Sequence, residues 1–84
     1  MNWFLYVLRC ADDTLYTGVT TDLKRRIHEH NSTKRGAKYT RARRPVKLVY
    51  FESYEDRSSA QRAENYFKNL CRQEKKSIIK GKSP

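Results

Sequence analysis

WFLYVLRCADDTLYTGV, residues 3–19, decides how the chain folds. Two runs rich in aromatic and β-branched residues, 3–9 and 14–19, flank Ala11-Asp12-Asp13, and that composition reads as two strands joined by a turn. Side chains alternate faces along a strand. Tyr6 therefore shares a side with Phe4 and Leu8, and Tyr16 shares one with Thr14 and Gly18. A three-residue loop at 11–13 pairs position 10 with 14, 8 with 16 and 6 with 18, so the two phenols share a face on the diagonal. A loop of even length puts them on opposite faces. Gly18 opposite Tyr6 leaves the sheet open, as close approach by another backbone requires. Paired tyrosines on a hairpin are commonly ordinary half-buried strand residues, so the hairpin alone assigns no chemistry.

Working outward, Thr20 or Thr21 can cap a helix with Asp22 in its first turn, running to about Asn31. Residues 32–45 read as loop with one helical turn, closed by Arg44-Pro45. VKLVYFE (46–52) reads as a third strand, followed by a helix from about Asp56 to Leu70 and a short basic helix over 72–80. The expected fold is α+β: a small three-stranded antiparallel sheet packed with helices, in the order β-β-α-(α)-β-α-α. We expect one continuous domain over residues 1–84, because 84 residues suffice for one small domain and not for two. Such a chain buries too little surface for a deep ligand cavity, and a shallow surface site fits its length better.

Lysine and arginine total 19 against 9 acids, a formal charge of +10. That excess predicts a polyanionic partner, nucleic acid ahead of an anionic membrane. No apolar run approaches the ~20 residues needed to span a bilayer. WFLYVL is too short for a signal-peptide core and lacks a basic segment before it. Cys10 and Cys71 have no metal-ligand spacing, and two reduced core thiols in a cytoplasmic protein is the expectation.

Three further stretches carry chemistry. In LKRRIHEHN, residues 23–31, a rise of about 100° per residue puts Arg26 and His30 on the side of Leu23 and Ile27. Lys24, Arg25 and His28 turn to solvent. An arginine snorkelling off the core edge and a histidine satisfied by backbone are the commoner cause of such a pattern, so the helix alone assigns no catalysis. Between His30 and Phe51 there is no acid, while Lys34, Arg35, Lys38, Arg41, Arg43, Arg44 and Lys47 supply cations around Tyr39. Such a run suits phosphate contact and, through Tyr39 and arginine, stacking on unpaired bases. In SAQRAENYF, residues 59–67, Glu64 falls inside the apolar stripe of the later helix. A carboxylate is rarely buried without a partner. Two phenols, an inward arginine, a histidine and one inward carboxylate form the set that phosphodiester cleavage asks for. A carboxylate holds hydrated Mg²⁺, a guanidinium supplies fixed positive charge, and a basic group serves the attacking water.

These residues resemble a known family. Phe4-Leu5-Tyr6 followed by Tyr16-Thr17-Gly18 resembles the paired signature of the GIY-YIG nuclease superfamily. DLKRRIHEHN and the acid of AQRAENYFK resemble its next two motifs. With GAKYTRARRPVKLVYFES, the chain is most similar to the small stand-alone bacterial members, which are related to the catalytic domain of the UvrC repair nuclease. The resemblance covers roughly residues 3–80. It implies that Tyr6 is the base or positioner of the attacking water and that Tyr16 contacts the phosphate or its waters. It further implies that Arg26 stabilises the scissile phosphate, that His30 assists the proton relay and that Glu64 is the metal-binding carboxylate. The implied cofactor is Mg²⁺ or Mn²⁺ and the implied substrate nucleic acid, DNA ahead of RNA, with a place in DNA repair or recombination. Departures are the FLY spelling of the first motif, Thr17 in the second, and Lys75 or Lys76 where many members carry an asparagine, Asn69 lying too near Glu64 to match it. A binding module without turnover, or a nuclease subunit needing a partner protein for specificity, stays open as an alternative.

Overall fold

A computed structural model of the chain describes residues 2–82. The elements are β1 (Trp3–Arg9), β2 (Leu15–Thr20), α1 (Leu23–Ser32), α2 (Lys38–Arg41), β3 (Lys47–Tyr54), α3 (Arg57–Lys68) and α4 (Arg72–Lys82). The sheet is antiparallel in the order β2-β1-β3, so the first strand is central. That placement explains why WFLYVL is a continuous apolar run instead of an alternating one. Leu5 and Val7 join Tyr50 and Phe67 under α3 and α4, whereas Tyr6 and Leu8 join Cys10, Val46, Leu23 and Ile27 under α1. Both faces of the middle strand are covered, so both sets of side chains must be apolar or satisfied.

The hairpin register is the expected one: Tyr6 faces Gly18 and Leu8 faces Tyr16. The Cys10 amide donates to the Thr14 carbonyl at 2.8 Å, and the Asp13 amide to the Cys10 carbonyl at 2.9 Å. Asp13 sits at φ 67°, the left-handed residue that ends a three-residue hairpin loop and that aspartate tolerates better than most.

Two expectations need correction. Asp22, not Thr20 or Thr21, caps α1: its Oδ1 accepts the Arg25 amide at 3.1 Å. The second strand runs through Thr20, whose hydroxyl oxygen accepts the Asp22 amide at 3.1 Å, and the capping position shifts accordingly. Cys71 is exposed and only Cys10 is buried, although both thiols are free. The later helix stops at Lys68 with Asn69 as its cap, so helical spacing no longer governs residue 71.

The segment after α1 is held by side chains. The Asn31 amide group donates to the Val46 carbonyl at 3.0 Å and accepts its N–H at 2.7 Å, copying a strand neighbour. The Arg44 guanidinium donates to the carbonyls of His30 (2.6 Å), Glu29 (3.3 Å) and Thr33, which satisfies the C-terminal end of α1. Gly36 passes so close to that helix that a Cβ would lie 2.6 Å from the Glu29 carbonyl oxygen. Its φ is not positive, so space and not conformation demands glycine there.

Candidate functional site

The Tyr6 side chain crosses the sheet toward β2 and lies over Gly18, where a Cβ would come within 2.5 Å of its hydroxyl oxygen. Expected as an opening for another backbone, Gly18 instead admits this ring. Tyr6 is 1% exposed, and its Oη is 2.7 Å from His30 Nε2. His30 is fully buried, with Nδ1 2.8 Å from the Thr40 hydroxyl oxygen and 3.2 Å from the Ala37 amide nitrogen. The Tyr16 ring stands 6.4 Å from that of Tyr6 and edge-on to His30 at 5.1 Å. The two phenols and the imidazole therefore form one contiguous cluster on the α1 side of the hairpin.

Burial pushes the Tyr6 phenol up to about 12, against the pull of the Arg26 guanidinium and with the help of Tyr16 and Glu64. Burial, aided by the positive charge of Arg26, pulls the His30 imidazole down to about 4. At neutral pH both rings are uncharged. A free phenolate is thus costly here, and its nearest source of relief is a cation.

Arg26 and Glu64 supply the two ends of the charge pattern. Arg26 has a side chain 28% exposed; its Nη1 donates to Glu29 Oε1 at 2.9 Å and to the Arg35 carbonyl at 2.8 Å. This arginine is therefore oriented from two sides, which an unpinned snorkelling side chain is not. Glu64 comes from α3, which packs on the Leu5 and Val7 face and also against edge strand β2. From there its carboxylate still acts electrostatically on the Tyr6 hydroxyl. Its side chain is 17% exposed and meets the Lys68 ammonium at 3.3 Å, one helical turn on. The carboxylate inside the apolar stripe is thus met by a cation.

That pairing bears on the metal. Among the described residues no three histidine, cysteine, aspartate or glutamate side chains gather to hold an ion. Hydrated Mg²⁺ keeps several waters and needs only one or two carboxylates, so a single shielded Glu64 that already attracts a cation fits such an ion as a donor set.

The basic loop divides in two. Lys34, Arg35, Lys38 and Arg41 are exposed. Arg43 is tied to Asp12 at 3.0 Å and lies over the Tyr39 ring at 3.8 Å, while Arg44 is turned onto the α1 carbonyls. Tyr39 stacks beside Tyr16, with ring centroids 6.1 Å apart, which carries the aromatic cluster outward to the loop. Sequence reasoning missed Thr40, Ala37, Glu29 and Lys68. The first is buried completely within a run that otherwise reads as solvated charge, and the signals on offer were the helical spacings of Lys68 from Glu64 and of Glu29 from Arg26.

Residues 2–77 match the GIY-YIG catalytic domain family. The chain is 54% identical over 78 residues to a UPF0213 protein of Desulfotalea psychrophila, covering 93% of this chain and 71% of that one. It is 57% identical over 77 residues to a UPF0213 protein of Streptococcus agalactiae serotype V, covering 92% and 86%. The solution structure of a UPF0213 protein from Bacillus halodurans superposes with a TM-score of 0.63 at 41% identity, over 98% of this chain and 86% of that one. A second solution structure, of an E. faecalis protein, gives 0.62 at 44% identity over 93% and 83%. Such a domain supports a GIY-YIG-type endonuclease, a hydrolase acting on phosphodiester bonds of nucleic acid. No helix among the described residues is long and apolar enough to cross a membrane. By its motifs, its sheet and these relatives, the chain belongs to the GIY-YIG family, within the small stand-alone UPF0213 group.

Proposed function

We propose that the chain is a divalent-metal-dependent nuclease that hydrolyses DNA phosphodiester bonds with low sequence specificity. The single supporting observation is the cluster of Tyr6, Tyr16 and His30 within ring contact, with Arg26 and Glu64 both acting on the Tyr6 hydroxyl. In this reading Tyr6 holds the attacking water through its oxygen, and burial keeps it a phenol until positive charge is at hand. Arg26, fixed by Glu29 and the Arg35 carbonyl, places its guanidinium against the phosphate as negative charge grows there. Tyr16 donates to a phosphate oxygen or an adjacent water. The water oxygen bonds to phosphorus, the bond from phosphorus to the leaving sugar oxygen breaks, the water's proton passes to solvent, and the leaving oxygen takes a proton from solvent. Mg²⁺ or Mn²⁺, held by Glu64, would supply charge neutralisation at the phosphate and the leaving oxygen. Lys34, Arg35, Lys38 and Arg41 track the backbone of the strand, with Tyr39, Arg43 and Arg44 ordering the loop they stand on.

The test is to incubate the pure protein with Mg²⁺ or Mn²⁺ and plasmid, single-stranded and branched DNA. Cleavage is expected to disappear in Glu64→Ala and Arg26→Ala, and cleavage that survives both overturns the assignment. A second reading, binding without turnover, is favoured by Lys68 standing on the carboxylate that the ion needs. It predicts salt-dependent binding that Arg41→Ala weakens and Glu64→Ala does not, with no product under any metal. A nuclease that awaits a partner protein predicts cleavage only in that partner's presence.

A further inference from the structure

Around His30 the directions of the hydrogen bonds constrain where the ring proton sits. The Ala37 backbone N–H can only donate, and it points at His30 Nδ1 from 3.2 Å. The Thr40 hydroxyl oxygen stands 2.8 Å from the same nitrogen. The other acceptor open to that hydroxyl, the Ala37 carbonyl at 2.9 Å, already receives the amides of Thr40 and Arg41, each at 3.0 Å. A hydrogen on Nδ1 would meet the Ala37 N–H head-on and leave that amide without its acceptor. A lone pair on Nδ1 receives both donors. The remaining ring nitrogen, Nε2, is 2.7 Å from the Tyr6 oxygen.

We propose that Ala37 and Thr40 lock His30 as the Nε2–H tautomer, so that the imidazole donates to the Tyr6 oxygen, and that Thr40 is a positioning residue for Tyr6. His30 then does not take the Tyr6 proton, contrary to the relay that the family resemblance implied. With one lone pair of its oxygen engaged by the ring N–H, Tyr6 must turn its own hydroxyl hydrogen away from His30. Once deprotonated, that oxygen keeps the fixed hydrogen bond from His30 and stands beside the Arg26 guanidinium. Thr40 acts through the imidazole: its hydroxyl bonds to His30 and to the Ala37 carbonyl.

The tautomer stands on the hydrogen bonds alone; its catalytic consequence rests on the nuclease reading. Nitrogen-15 NMR of the imidazoles in the unmodified protein near neutral pH decides the first. His28, exposed on the same helix, serves as the internal reference. The expected spectrum shows His30 with an unprotonated Nδ1 and a protonated Nε2, and a protonated Nδ1 overturns the proposal whether or not the protein cuts DNA. For the second, Thr40→Val is expected to lower kcat about tenfold, the scale of one neutral hydrogen bond. KM should stay unchanged, and Thr40→Ser should restore the rate. A folded Thr40→Val protein with wild-type kcat removes Thr40 from the positioning role. Failure of every form to cut DNA sinks the nuclease reading while the NMR result still stands.

Discussion

Gly18→Ala tests the geometry on which the site depends. The added methyl would lie 2.5 Å from Tyr6 Oη, 2.7 Å from Cζ and 3.0 Å from Cε2, where ordinary contact begins at 3.4 Å. Tyr6 is sealed under α1, so its ring can yield only by repacking, at a cost of about 1–3 kcal/mol. A shift of about 1 Å also breaks the buried bond to His30 and strands two polar atoms, worth about 1–3 kcal/mol more. Against this, alanine in a strand recovers about 0.5–1 kcal/mol of backbone entropy. The net expectation is a loss of about 3 kcal/mol, which lowers Tm by more than about 10 °C in a domain of this size. Urea unfolding followed by circular dichroism measures it. The double mutant with Tyr6→Phe, which removes the 2.5 Å contact, should lose less than the two single losses combined, with a coupling of about 1 kcal/mol. A Gly18→Ala protein within about 0.5 kcal/mol of wild type refutes the close approach and, with it, the placement of the Tyr6 hydroxyl.

Because His30 is held near 4 in the folded chain against 6.5 unfolded, only the unfolded state gains its proton as the solution is acidified through that window. Stability should therefore fall by about 2 kcal/mol between about pH 7.5 and pH 5, read by urea titration, and a flat profile contradicts the buried neutral ring. Lys68→Ala should tighten Mn²⁺ binding about twofold by calorimetric titration, since an i,i+4 ion pair whose lysine is exposed competes with only about 0.3–0.5 kcal/mol. Unchanged or weaker binding places the ion elsewhere than Glu64. Asn31→Ala should cost about 2 kcal/mol in thermal unfolding by removing both bonds to Val46, and a loss under about 0.5 kcal/mol shows that the bonds do not hold the segment.

The hairpin was readable from sequence because a side-chain period of two and a three-residue loop leave one register that buries Tyr6 and Leu8 together. The inward side of α1 was readable because Leu23 and Ile27 define it. Chain ends of elements were less so. Thr20 and Thr21 read as caps of the first helix, and the shift to Asp22 depended on how far the second strand continued. Carrying helical spacing past Lys68 placed Cys71 in the core, since nothing local announced that Asn69 would end the helix. Within the site, the residue types and faces of Tyr6, Tyr16, Arg26 and Glu64 followed from periodicity, but their partners did not. Thr40 meets His30 from ten residues further along, across an irregular link at 33–37 whose path no pattern reveals. Charge density likewise marked Arg44 without telling that its guanidinium faces three carbonyls.

The anchoring of that irregular chain has a consequence for how a polyanion is met. Arg44 and Asn31 rivet its C-terminal end to α1, and Arg43 ties the stretch ahead of it to the hairpin turn at Asp12. The exposed ammonium and guanidinium groups of residues 34–41 thus project from a ridge whose backbone is already set. Docking onto a preorganised ridge forfeits little chain entropy, so affinity should follow ionic strength closely while the heat-capacity change stays small, unlike a basic tail that must fold as it binds.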